Sequence, residues 1–244
     1  MLNKIHNEDC LEGMKRIPDK SIDMILCDLP YGTTRNKWDS IIPLETLWKQ
    51  YERIIKDNGA IVLTAQTPFD KVLGTSNLKL LKYEWIWDKA LATGHLNAKK
   101  MPMKRHENIL IFYKKLPIYN PQMIKGEPYN KGFGHVYSSN YGKQIDVSHV
   151  NETGNRYPTS IILKSNANRR GKFHPTQKPV SLFEYLIKTY TNEGETVLDN
   201  CMGSGTTAIA CMNINRNFIG FELDEEYWRL ANERIEQHKA IKHP

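Results

Sequence analysis

The chain is poor in the residues that build metal and disulfide scaffolds. It has only four cysteines in 244 residues (Cys10, Cys27, Cys201 and Cys211), and no two stand as Cys-x-x-Cys. That spacing speaks against a disulfide ladder and against a structural zinc. The eight histidines are scattered, and none forms His-Glu-x-x-His. No apolar run approaches the roughly 18 residues that a membrane span needs. The first residues, Met1-Leu2-Asn3-Lys4, lack the long apolar stretch of a secretory signal. A cytoplasmic protein with no membrane partner is expected. Internal repeats and low-complexity tracts are also missing.

What is present is an ordinary soluble balance, 40% hydrophobic and 25% charged, in a chain long enough to bury a core. One domain with insertions is the simplest organisation. The net charge of +7 is unevenly spread. Residues 89–178 hold 16 Lys or Arg against 4 Asp or Glu, a net of +12, and the rest carries −5. A solvated basic face would account for this. Concentrated positive charge is also what a polyphosphate partner requires.

Hydrophobic patterning alternates between strand and helix. Residues 4–7 read as a short strand and 10–16 as a helix. Residues 21–28 form a nearly continuous apolar run suited to a buried parallel strand, stopped by Pro30 and Gly32. Leu44, Leu47, Trp48, Tyr51, Ile54 and Ile55 recur at helical spacing; Asn58-Gly59 is expected to close that helix before a strand at 60–64. Strands are expected at 83–88 and 108–113. Beyond Lys115 turn residues dominate up to about Arg170, which reads as a loop-rich insertion outside the sheet. After Pro179 a helix, a strand at 196–199, a helix from 206, a strand at 218–222 and a closing helix follow. This alternation implies a doubly wound α/β sheet.

Val197-Leu198-Asp199-Asn200-Cys201-Met202-Gly203-Ser204-Gly205-Thr206-Thr207 is a strand, a glycine loop and a helix start. The glycines permit a tight turn and close approach of a ligand. Glu222 ends the next strand, 23 residues after Asp199, where an acid accepts ribose hydroxyls. A Walker A loop would need Gly-Lys-Ser/Thr, and the third glycine of a dinucleotide fingerprint is missing. A nucleoside without phosphates fits better.

Asp28-Leu29-Pro30-Tyr31 lies where a buried parallel strand emerges, the edge at which open α/β sheets bind ligands. It resembles the Asp-Pro-Pro-Tyr motif of the DNA adenine and cytosine amino-methyltransferases. Residues 197–207 resemble their cofactor loop, and His174-Pro175-Thr176-Gln177-Lys178-Pro179 the segment before it. With the catalytic motif first and the cofactor loop last, the order is similar to the beta group of that family. The resemblance covers residues 4–113 and 174–236. It implies a mostly parallel, seven-stranded, Rossmann-like sheet formed by residues 1–115 and 171–244, with 116–170 as a target-recognition insertion.

The same resemblance implies S-adenosylmethionine as cofactor. Asp9 and Cys10 would line its adenine pocket; Cys201, Gly203, Gly205 and Thr206 would hold the methionine portion and sugar. Asp199 belongs to the same site, Glu222 would take the ribose, and Lys178 would border the loop. Two positions depart from the family: Leu29 replaces the first proline, and Cys201 a phenylalanine. The Leu29 position acts through its carbonyl, which any residue supplies.

An exocyclic amine is a poor nucleophile because its lone pair is delocalised into the ring. Two acceptors on its N–H groups, the Asp28 carboxylate and the Leu29 carbonyl, can draw the nitrogen toward tetrahedral geometry. With a pKa near 4, an ordinary aspartate cannot deprotonate that amine first, so it aligns and stabilises. Tyr31 is placed to stack on a base turned out of the duplex. No Pro-Cys dipeptide supplies the thiolate that carbon-5 cytosine chemistry needs. Asp at position 28 favours adenine N6 by the family pattern, with cytosine N4 as the alternative. An RNA methyltransferase and an inactive cofactor- or DNA-binding protein are more distant readings. Lys99, Lys100, Lys104, Arg105, Lys164, Arg169, Arg170 and Lys172 are expected on DNA phosphates, with base contacts from turns bearing Tyr119, Tyr129, Phe133, Tyr137 and Tyr141. Double-stranded DNA is the expected partner. A second copy of the chain and a cognate restriction endonuclease stay open as others.

Overall fold

The computed structural model describes residues 1–32, 40–134, 137, 138, 140, 142, 143, 147–166 and 177–242. It divides into two compact units, Met1–Asn120 with Ser160–Pro244, and Pro121–Thr159. The first unit is built on one eight-stranded sheet. In chain order its strands are β1 (Lys4–Asn7), β2 (Ile22–Asp28), β3 (Ile55–Ala65), β4 (Leu81–Thr93), β5 (Lys104–Phe112), β6 (Ile161–Leu163), β7 (Thr196–Asp199) and β8 (Asn217–Glu222). Their spatial order is β1-β8-β7-β2-β3-β5-β4-β6. Every neighbouring pair is parallel except those made by β5, which runs antiparallel to both β3 and β4.

Among the described residues six α-helices cover the sheet: α1 (Cys10–Met14), α2 (Leu44–Ile54), α3 (Phe69–Ser76), α4 (Val180–Tyr190), α5 (Thr206–Asn213) and α6 (Glu225–Lys242). The near-continuous apolar strands explain two cores rather than one. On β2, Met24 and Leu26 point into the core shared with α4, α5 and α6, while Ile25 and Cys27 point into the core shared with α1, α2 and α3. On β3, Ala60 and Val62 alternate with Ile61, Leu63 and Ala65 in the same way. A strand buried on both faces has no polar side to show, hence the unbroken apolar run. At Gly13 of α1 a methyl group would fall 2.2 Å from the Phe221 ring, so helix and sheet approach closer than alanine allows.

The doubly wound, largely parallel sheet expected from the sequence is present, with one strand more than seven. β6 falls in the stretch read as loop and returns the chain to the sheet edge beside β4. The α2 boundary also differs. The helix stops at Ile54 and β3 begins at Ile55, so Asn58 and Gly59 lie inside a strand rather than closing the helix. The pairing of β2 with β3 shifts register between Ile22 and Met24 and absorbs the irregularity. Gly59 lies close to the Asp23 carbonyl, 2.7 Å from where a Cβ would stand, which explains glycine there.

The second unit is a set of nested antiparallel ladders. Lys125 pairs with Asn155, Tyr129 with Asn151, Gly134 with Val147 and Ser138 with Gly142. Among the described residues these pairings nest at steadily decreasing separation, which is the pattern of a hairpin. At its base the Asn151 side chain accepts from the Gly154 amide (2.8 Å) and donates to the Asn155 carbonyl (2.7 Å), fixing the turn. The Tyr129 ring lies under the cations of Lys131 and Arg156, at 5.4 and 5.8 Å.

Candidate active site

The parallel strands deliver their C-terminal ends to one edge. Asp28 ends β2, Asp199 ends β7 and Glu222 ends β8. From β2 the chain winds outward through β3, while from β7 it winds the other way through β8. The order therefore reverses between β2 and β7, and a crevice opens at that reversal. A cleft of about 710 Å³ lies there, lined among others by Cys10, Asp28, Tyr31, Lys178, Gly203 and Glu222. Its size is that of an ordinary small-ligand site.

On the β2 side, three donors hold the Asp28 carboxylate. Thr64 of β3 donates to Oδ1 at 2.5 Å, Tyr31 donates to the same oxygen at 2.7 Å, and the Lys178 ammonium meets Oδ2 at 2.5 Å. Oδ1 is filled by its two donors, while Oδ2 keeps a lone pair for an incoming N–H. Leu29 and Pro30 line the cleft beside it. Burial and then the Asp28 charge push the Tyr31 phenol well above its ordinary pKa, so it stays a donor. Burial works against the Lys178 charge, but Asp28 and Glu107 outweigh it and hold the pKa above the usual lysine value. The Tyr31 ring stacks on Phe69, with centroids 5.3 Å apart, and the Lys178 ammonium lies 5.7 Å from its centroid.

On the β7 side the glycine loop folds back on the acids around it. Asp199 accepts from the Cys201 amide at 3.0 Å and from the Thr207 hydroxyl. Burial raises its pKa to about 6. Glu222 accepts the Gly203 amide at 2.7 Å on one oxygen and the Asp224 amide at 2.9 Å on the other. Burial pushes its carboxyl up as well, against those two backbone hydrogen bonds. Each oxygen retains a lone pair toward the cleft, as a ribose diol requires. Gly203 has φ 53°, and a Cβ there would meet nothing within 4 Å, so the loop presents bare backbone to open space. An acid pair of acceptors beside an uncovered glycine turn fits a nucleoside.

Every residue expected at the cofactor lines this cleft except Gly205. With φ 78° it precedes α5, and a Cβ there would stand 3.2 Å from Ala231 of α6, so it permits helix packing instead. The Asp9 side chain caps α1 through the Leu11 and Glu12 amides, at 2.8 and 3.2 Å. Lys178, expected at the loop edge, sits on Asp28. The Cys201 sulfur takes the Asn200 amide at 3.5 Å, and Cys10 shares that amide at 3.6 Å. Asn200 in turn accepts the Tyr51 hydroxyl. Thr64, Lys89 and Glu107 were not anticipated. Thr64 had one sequence signal, a lone polar residue in an apolar strand, while Lys89 and Glu107 stand in polar stretches and had none.

The expected phosphate contacts scatter. Lys99 and Lys100 are exposed on the β4–β5 connection, and Lys104 reaches Gln66 at the cleft wall at 3.4 Å. Arg105 is committed to a two-pronged pair with Asp88, at 2.8 and 2.9 Å. Lys164 is half-buried just after β6. Arg169, Arg170 and Lys172 lie outside the described residues, as do Tyr141 and the side chains of Phe133 and Tyr137. Tyr119 belongs to the first unit, where its ring packs 6.3 Å from that of Tyr190.

A doubly wound sheet with an Asp-Leu-Pro-Tyr turn and a glycine loop at its reversal is the Rossmann-like fold of the methyltransferases. Residues 22–233 match the DNA methylase family N6_N4_Mtase, and the chain belongs to that family of DNA amino-methyltransferases. It is 28% identical over 260 residues to the type II methyltransferase M1.MboII of Moraxella bovis, covering 95% of each chain. To M.HpaI of Haemophilus parainfluenzae it is 27% identical over 241 residues, covering 93% of this chain and 72% of the other. The crystal structure of an M1.HpyAVI–SAM complex superposes with a TM-score of 0.65 at 26% identity, covering 95% and 98% of the two chains. The cytosine-N4-specific PvuII DNA methyltransferase gives a TM-score of 0.71 at 16% identity, over 98% and 92%, a likeness of fold alone. Among the described residues no helix is long and apolar enough to cross a membrane.

Proposed function

We propose that this DNA methyltransferase acts on the N6 amino group of adenine within a specific double-stranded sequence, on a base turned out of the helix. The observation that carries the reading is Asp28, fixed by Thr64, Tyr31 and Lys178 at the strand edge with acceptor capacity left over. When bound, S-adenosylmethionine supplies an electrophilic methyl group on a sulfonium. Glu222 holds the ribose, the Gly203 backbone lets the cofactor approach, and Cys10 and Cys201 line its cavity. Asp28 and the Leu29 carbonyl accept the two amine hydrogens and direct the nitrogen lone pair at the methyl. Asp28 then stabilises the nitrogen as it becomes cationic and receives its proton. Tyr31 serves Asp28 as a donor and offers its ring to the base. Aspartate at this position favours adenine by the family pattern; N4-cytosine is the second reading. Mapping modified bases in DNA from cells expressing the chain should find N6-methyladenine in one sequence context. N4-methylcytosine in its place would overturn the choice of base.

DNA is held by cations of the first unit, and the hairpin Pro121–Thr159 supplies base contacts. The hairpin contains four Lys or Arg and three Asp or Glu, so nearly all of the +12 lies in the chain flanking it. Lys99 and Lys100 are exposed and make no ion pair among the described residues. Removing one cation from a DNA phosphate lowers the slope of log affinity against log salt by about 0.9. Lys99→Ala with Lys100→Ala should flatten that slope by about one to two and weaken all duplexes alike. An unchanged slope would remove the β4–β5 connection from the interface.

A further inference from the structure

The charged groups around Asp28 and Lys178 continue inward to two buried residues, Glu107 and Lys89, that neither the family motifs nor the chemistry above employs. Glu107 sits on β5, the antiparallel strand between β3 and β4. Its Oε1 meets the Lys89 ammonium at 3.2 Å, and its Oε2 lies 3.4 Å from the Lys178 ammonium. Lys178 is in turn 2.5 Å from Asp28. The side chains of Lys89, Lys178 and Glu107 are 6%, 8% and 11% exposed, and all four residues line the cleft. Oε2 makes no hydrogen bond among the described residues, so the ammonium of Lys178 is what it answers to.

Two buried ammonium groups beside a catalytic carboxylate pose an electrostatic problem. The proposed reaction brings a sulfonium into the cleft and builds positive charge on the attacking nitrogen. An uncompensated lysine there opposes both, and in a poorly screened interior the opposition is strong. A lysine pressed against Asp28 also weakens that carboxylate as an acceptor. With Glu107 ionised, the chain Asp28–Lys178–Glu107–Lys89 alternates in sign and sums to zero. Without Glu107 it sums to +1, and Lys178 has Asp28 as its sole counterion among the described residues.

We propose that Glu107 is a positioning residue of the methyl-transfer site. It shares Lys178 with Asp28 and neutralises Lys89, which keeps Asp28 free to accept the amine and keeps the cleft hospitable to positive charge. The inference rests on Asp28 as the catalytic carboxylate, and it holds for either base. It differs from a purely structural anchor in one respect: what matters is charge balance, so removing Lys89 as well should compensate for losing Glu107.

The test uses the full chain with duplex DNA and compares Glu107→Gln, Glu107→Gln/Lys89→Met and Asp28→Ala. Single-turnover methyl transfer should fall about 10²-fold in Glu107→Gln, the size of effect seen when one electrostatic contributor is removed. The double variant should regain about tenfold or more, a coupling that independent losses do not give. Calorimetry supplies a second readout. Glu107→Gln should weaken S-adenosylmethionine about fivefold more than its uncharged thioether product, S-adenosylhomocysteine, and the double variant should restore the ratio. Near-normal transfer in Glu107→Gln would overturn the proposal. So would a double variant slower than the single one, or equal losses for the two ligands, since a structural anchor behaves that way. If Glu107→Gln does not fold, the charge-balanced double variant carries the test alone: transfer within about tenfold of wild type supports the proposal, and a larger loss overturns it. Asp28→Ala separates the layers. If it retains turnover, the site itself is misplaced; if it is dead while Glu107→Gln is normal, only the positioning role fails.

Discussion

Asp28→Ala is expected to lose methyl transfer by about 10³-fold or more while binding S-adenosylmethionine within about threefold of wild type. A factor of 10³ corresponds to about 4 kcal/mol of transition-state stabilisation. The split between rate and affinity follows from position. Asp28 ends β2 on one side of the cleft, whereas Glu222, the proposed ribose acceptor, ends β8 and the glycine loop follows β7 on the other. The substitution also strips Thr64, Tyr31 and Lys178 of a shared acceptor. The fold should give up about 1–3 kcal/mol, because Glu107 still faces Lys178. Asp28→Asn keeps one acceptor oxygen and loses the charge, so its rate should fall between the two. Tritium transfer beside calorimetric titration reads both quantities. Turnover near normal in Asp28→Ala would remove the carboxylate from the chemistry.

Glu222→Ala should show the opposite pattern, with S-adenosylmethionine weakened by about 2–3 kcal/mol and little change in rate at saturating cofactor. The loss sits at the upper end for charged hydrogen bonds because two things go at once. The ribose loses its acceptor, and the Gly203 amide loses the oxygen that orients the glycine loop. Glu222→Gln should cost less. The pH dependence has a definite sign. Burial raises the Glu222 pKa, and ribose hydroxyls bind the ionised form. Affinity should therefore be full above that raised pKa and fall as the pH drops through it, at a higher pH than for an ordinary glutamate. In Glu222→Gln that portion of the profile should be flat. An unchanged dissociation constant in Glu222→Ala would move the ribose site elsewhere.

Those two acids were legible in the sequence because each ends an apolar strand, and parallel strands send their ends to one edge. The apolar runs at β2, β7 and β8 announced buried strands, and the acid at the end of each run lies on the cleft. The partners of Asp28 were hidden for the opposite reason. Thr64 and Lys178, and Glu107 behind Lys178, come from three distant parts of the chain, and the sheet gathers them by setting β3 beside β2 and β5 beside β3. Local pattern carries no information about which strand lies beside which. β6 escaped notice because three residues, Ile161–Leu163, are too few to show a period. At the α2–β3 junction Asn58-Gly59 has the composition of a stop signal, yet the glycine serves a close approach to Asp23 inside a strand. Arg105 shows how charge counting misleads: it contributes to the +12 but is spent on Asp88.

The most direct test of the central claim follows the methyl group itself. Purified protein is incubated with duplex DNA and S-adenosylmethionine bearing a trideuterated methyl, and the digested nucleosides are separated and weighed by mass spectrometry. The account predicts the label on N6 of deoxyadenosine with wild-type protein, and its loss with Asp28→Ala. Label on N4 of deoxycytidine alone, or label on adenine undiminished in Asp28→Ala, would contradict it.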